Sequence, residues 1–149
     1  MFTLQIKYDD VLAKIRDEIS RVADKAYDDE GNSLYDGIVV TSSDEATLTA
    51  MIFDSINSFV RRVSDIVSGM ENSADGTGIS IDVPDFDTGN FGGAVSSEFE
   101  RHIVLNVCAA WLQERYSERS EEYVARGQVA ADKTVALLKT RKKPGITRQ

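Results

Sequence analysis

A chain of 149 residues is long enough to bury a core of its own, since chains of this size remove roughly 70% of their unfolded surface from water. Hydrophobic residues at 42% and charged residues at 28% exclude wholesale disorder and predict one folded domain. The formal net charge of −8 argues against a surface dominated by basic residues, the usual mark of a nucleic-acid binder.

The first element is legible in FTLQIKY, which places Phe2, Leu4 and Ile6 on one side and Thr3, Gln5 and Lys7 on the other, the period of a half-buried strand. Asp9 or Asp10 then offers an N-cap to a helix running to about Asp28, with Val11, Leu12, Ile15, Ile19, Val22 and Ala26 at helical spacing and a charged opposite face. The turn-rich DDEGNSLYDG stops it, and IVV reads as a short extended connection. Ser42 and Glu45 have the spacing of a capping box. From Leu48 through Ile52, Ile56, Phe59, Val63 and Val67 to Met70, apolar residues then recur in steps of three and four, predicting a long second helix ended by Gly69 and ENSADGTG.

A second strand follows, with Ile79, Ile81 and Val83 alternating with Ser80 and Asp82 until Pro84. It can pair with TLQIK, and a ribbon so small must lean on the helices or on a neighbouring subunit. Edges left exposed in this way are places where another chain can add. Ser97 and Glu100 form a second capping-box spacing and predict the start of a third helix. Its stretch from Ile103 to Leu112 is apolar at almost every position, which predicts burial on most sides, Trp111 included. After a bend at SERSEE, with Ser117 or Ser120 as cap, a last helix carries Tyr123, Val124, Ala130, Ala131, Val135 and Leu138 on roughly one face. Glu121 and Glu122 near its start and Lys139 to Lys143 at its end complement the helix dipole. The fold class predicted is mainly α, a helical bundle of about four helices with a small two-stranded β ribbon. One domain spans residues 1–138, with a protruding loop region at about 71–95, and a basic tail occupies 139–149.

Charge is spread unevenly along these elements. Residues 1–70 carry 7 basic and 13 acidic side chains, residues 71–100 none and 7, and residues 101–149 10 and 5. The middle repels polyanions and the C-terminal third attracts them, which suggests an electrostatic interface, for example between copies of the chain. The plainer reading is a solvated acidic loop and a solvated tail.

Catalytic chemistry is hard to assemble from this sequence. The lone His102 and the lone Cys108 are six positions apart, about 120° on a helical wheel, and cannot share a site unaided. His102 reads as a surface or core hydrogen-bonding residue, and Cys108 as a small buried hydrophobe. One cysteine forms no internal disulfide, so a reducing, intracellular setting is expected. The N-terminus lacks a signal-peptide pattern, and IVLNVCAAWL is far short of the roughly 20 apolar residues that span a bilayer. Counted from Asp85 as a calcium loop, DFDTGN puts Gly89, Asn90 and Ser96 where Asp or Asn, Gly and Glu are needed. A turn-rich acidic loop is the better reading, although the proximity of Asp82, Asp85 and Asp87 leaves a cation open. GNFGGAV lacks the Lys-Ser or Lys-Thr of a phosphate loop and lies in acidic surroundings.

The C-terminal part, HIVLNVCAAWLQERYSERSEEYVARGQVAADKTVALLKTRKKP, joins a buried helix with Trp111 near its end, a helix beginning SEEYVARGQVAAD, and a basic tail RKKPG. In this it resembles the small head-to-tail connector, or adaptor, proteins of long-tailed phages and prophages. The resemblance is strongest from about Val95 onward, and the first two thirds match in layout alone, as helices around a small ribbon. It implies a structural virion protein without catalytic residues or cofactors, cytoplasmic during assembly in a bacterial host and then part of the virion neck. Such proteins form a ring beneath the portal protein, beside other neck and tail proteins, and continue the channel through which DNA passes without specific binding. No membrane is involved, and the isolated chain can stay monomeric until a portal templates it. The expected contact sets Asp82, Asp85 and Asp87 of one subunit against Lys139, Arg141, Lys142, Lys143 and Arg148 of the next, a head-to-tail arrangement that closes into a ring. The alternative is a small DNA-binding or regulatory module whose basic tail meets phosphate.

Overall fold

The computed structural model describes residues 2–84 and 92–141. Strand β1 (Phe2–Lys7) runs straight into helix α1 (Tyr8–Asp24), followed by a short helix α2 (Tyr35–Ile38) and a single 3-10 turn at Ser42–Asp44. Helix α3 (Glu45–Arg62), strands β2 (Gly69–Asn72) and β3 (Gly78–Val83), and the long helices α4 (Gly92–Arg115) and α5 (Ser117–Arg141) complete the order. The protein is mainly helical with a small antiparallel sheet, as its periodicities predict.

The expected ribbon is present. β1 pairs antiparallel with β3, Leu4 opposite Ile81 and Ile6 opposite Ile79, and these four apolar side chains are buried. It is three-stranded rather than two-stranded, because β2 occupies the other edge of β3, with Met70 opposite Ile81. The sequence places Val63, Val67 and Met70 on the second helix, yet α3 ends at Arg62. The N–H of Val63 closes the last turn on Phe59 and Val60. The Ser68 N–H then donates to the Asp82 carbonyl at 2.9 Å, drawing the chain onto the sheet edge. Hydrogen bonds to β3 thus outweigh a helical stripe that is apolar but lies beyond the helix end. Gly78, opposite Lys7, allows a close approach of β1, since a Cβ there would run into the Ile6 carbonyl oxygen.

Other helix starts also differ from the expected ones. α1 begins at Tyr8 without a side-chain cap, leaving Asp9 and Asp10 in its first turn, where they face the positive end of the dipole. It ends at Asp24 rather than Asp28, and Asp28 instead accepts backbone N–H groups from Glu30 and Asn32 in the following turn. The end of the segment read as turn forms α2, which takes in Ile38, the first residue of the IVV read as extended, and Val39 after it is extended as expected. The cap ahead of α3 is one residue earlier than Ser42, for Thr41 donates both its N–H and its hydroxyl to the Asp44 carboxylate at 2.9 and 3.0 Å. α4 begins at Gly92, so Ser97 and Glu100 lie inside the helix.

The core sits between the sheet and the helices. α1 contributes Val11, Ile15 and Ile19, α3 contributes Leu48, Ile52, Ile56 and Phe59, and α4 contributes Phe99, Ile103, Val107, Trp111 and Leu112, all buried in one cluster. Phe59 and Phe99 meet with ring centroids 4.8 Å apart. α4 and α5 form a hairpin around Tyr116 and pack along their lengths. α5 turns Tyr123, Gly127, Ala130, Ala131, Thr134 and Leu138 inward. This narrow stripe of mostly small residues brings the two backbones close: a Cβ on Gly127 would touch the Asn106 backbone N at 3.4 Å.

Candidate functional site

Of the residues expected to carry a contact, Asp82 and Lys139 have described side chains. Asp82 belongs to the sheet, half-buried in β3 opposite Thr3. Its carboxylate accepts the Thr3 hydroxyl at 3.2 Å, and its carbonyl accepts the Ser68 N–H. That makes it a cross-strand tie. Lys139 is exposed in the last turns of α5, whose backbone continues to Arg141, so the helix runs on across the boundary between 138 and 139. No ion pair joins Asp82 to Lys139. Asp85, Asp87, Lys142, Lys143 and Arg148 lie outside the described residues. Among the described residues no group of three or more His, Cys, Asp or Glu side chains is placed to hold a metal.

The two reactive side chains of α4 are both engaged in packing. His102 is half-buried, its ring 5.7 Å from that of Phe59. Its Nδ1 lies 3.0 Å from the Gly127 carbonyl oxygen, and a carbonyl only accepts, so Nδ1 carries the proton. Burial holds the imidazole below its ordinary pKa, with the Gly127 carbonyl pulling the other way. The Cys108 thiol is buried, and desolvation, reinforced by Glu18, pushes it far above the usual thiol range. A thiol so placed is a poor nucleophile.

A charged groove of about 370 Å³ runs between α1, α4 and α5, with Lys14, Glu18, Arg21, Glu100, Arg101 and Arg126 among its walls. Several of its acids and bases answer one another, while Arg101 makes no ion pair with a described residue. Lys14 pairs with Glu100, Arg21 with Glu18 at 2.9 Å, and the Tyr123 hydroxyl donates to Glu18 at 2.9 Å. Burial and the neighbouring Glu18 carboxylate push the Tyr123 phenol up to about 12. Residues 18 and 123 stand far apart in sequence, and no local pattern pairs them.

Two further grooves flank the α4–α5 seam, and sequence reasoning missed both. One has Ala109, Ala110 and Val124 as its apolar part and Glu118 and Glu121 as its charges. The other has Ala125, Val129 and Ala130, with Arg101, Arg126 and Lys133 against a single carboxylate, Glu98. Val124 and Val129 are 45% and 53% exposed, so each groove presents an apolar centre to solvent. The available signal was Glu118, Glu121 and Glu122 early in the helix against Arg126 and Lys133 later, interspersed with Arg119 and Asp132, and the wheel alone does not show which of them face the same side of α4.

No helix among the described residues is long and apolar enough to cross a membrane. Comparison with protein-family models, curated proteins and solved structures gives no match.

Proposed function

We propose that the chain is a structural virion protein, a phage or prophage head-to-tail connector that forms a ring beneath the portal and continues the DNA channel. The observation that carries this reading is the C-terminal hairpin: a buried α4 bearing Trp111, backed by an α5 whose polypeptide leads into the basic segment 139–148. A helix anchored at Leu138 and continuing into basic sequence suits attachment to an acidic neighbour, here the 71–100 region of the next subunit. In this role the protein catalyses nothing and needs no cofactor. It acts in the cytoplasm during assembly and in the virion neck afterwards, with the portal and other neck proteins as partners.

The test is electron microscopy and native mass measurement of the full chain, alone and with the portal protein of its own virion, beside a duplex-DNA titration at low salt. Rings, free or templated by the portal, are the expected outcome. The excess of basic residues in 101–149 favours one other reading, a DNA-binding or regulatory module. Tight duplex binding without rings under either condition would replace the connector by that module.

A further inference from the structure

We infer that copies of this chain associate head to tail through the two flanks of the α4–α5 hairpin, the acidic groove of one copy receiving the basic groove of the next. The inference rests on the self-association in the proposed function, but it places the contact on folded helix surface rather than on the tail.

The two grooves are complementary in charge and alike in construction. On one side Glu118 and Glu121 border Ala109, Ala110 and Val124; on the other Arg101, Arg126 and Lys133 border Ala125 and Val129. Val124 and Val129 are five residues apart, hence about 140° around the helix, and open on opposite sides of the seam. Small alanine side chains let an opposing helix approach, and an exposed valine on each side supplies apolar area to bury.

The rim charges are also uncommitted. Glu118, Glu121, Arg101 and Lys133 are exposed and make no ion pair with any described residue, whereas Arg126 is 3.6 Å from Glu122. Among the described residues α5 packs chiefly on α4, and the two grooves run along opposite sides of that seam. Because the complementary patches are different surfaces of one molecule, the contact is heterologous, and it repeats from copy to copy until the rotation closes a ring. A two-fold dimer made through either flank alone would set like charges together, which disfavours it.

Charge reversal tests this directly. One variant carries Glu118→Lys and Glu121→Lys, so that both flanks are basic; a second carries Arg101→Glu and Lys133→Glu, so that both are acidic. Sedimentation and native mass measurement up to millimolar concentration should show the wild-type chain associating, each variant alone associating about tenfold more weakly or worse, and an equal mixture of the two associating again. The restored complex should weaken in 1 M salt, where the Debye length falls to about 3 Å. All four substituted positions are exposed, and unchanged melting curves establish that the variants fold. Wild-type association unaffected by either variant overturns the flank contact and leaves the ring to another surface. A wild-type chain that is monomeric throughout overturns it as well, while the ring reading is then decided by the portal experiment.

Discussion

The indole Nε1–H of Trp111 donates to the backbone carbonyl of Ile38 at 2.7 Å, joining the C-terminal end of α4 to the short α2 segment 73 residues earlier. The ring is 1% exposed, and the Arg115 guanidinium lies over its face, 3.5 Å from the centroid. Trp111→Ala should therefore lower stability by about 3–5 kcal/mol, as aromatic truncations in cores do. Trp111→Phe keeps most of the volume but strands the Ile38 carbonyl, for a loss of about 1–3 kcal/mol. Denaturant melts of the two variants check both values, and equal stability of Phe and Trp at this position would show that the hydrogen bond contributes nothing.

Gly127 divides small substitutions from large ones. Its nearest neighbours would meet a Cβ at 3.4 and 3.5 Å, ordinary contact, so Gly127→Ala should be neutral or add up to about 1 kcal/mol through helix propensity. Gly127→Leu has nowhere to go and should cost about 1–3 kcal/mol by forcing α5 off α4. Thermal melts compare them. A tolerated leucine would mean that the hairpin is looser than the contact with Asn106 implies.

His102 makes stability sensitive to acid. Its pKa is depressed in the folded protein, so below the ordinary histidine value of about 6.5 the unfolded chain takes up a proton that the folded chain refuses. The histidine's contribution is therefore fully present above that pH and is lost as pH falls toward the folded value. His102→Asn keeps a donor for the Gly127 carbonyl without titrating. Between pH 7 and 5 the wild-type melting temperature should fall more steeply than that of the variant, and parallel curves would remove the histidine from the account.

Deleting residues from Thr140 onward should leave the melting temperature nearly unchanged, because Leu138 is the last buried apolar anchor of α5 among the described residues. The same truncation should weaken attachment to the portal or to neighbouring subunits, and the difference should fade in 1 M salt. Running both chains in an assembly assay and in a DNA titration separates the two readings of the tail. Loss of tight DNA binding with assembly untouched favours the regulatory module.

What the sequence determines by itself is what a window of a few residues can contain. The alternation of Leu4 and Ile6, the matching alternation of Ile79, Ile81 and Val83, the stripe along α3 and the apolar density around Trp111 each follow from local periodicity, and the structure buries them accordingly. The engaged state of His102 and Cys108 was legible too, because neither has a reactive partner within helical reach. Among the candidate contact residues, Asp82 was legible as a strand residue, but its tie to Thr3 depends on the register of β1 and β3. Only the tertiary structure decides that Gly69–Asn72 is a strand, because four residues with little alternation become one when the open edge of β3 offers hydrogen bonds. The same holds for Glu18 with Tyr123, for Trp111 with Ile38, and for the division of charges between the flanks of α5. Each of these depends on where a distant backbone lies, and a pattern counted along the chain contains no information about a neighbour that folding alone brings into contact.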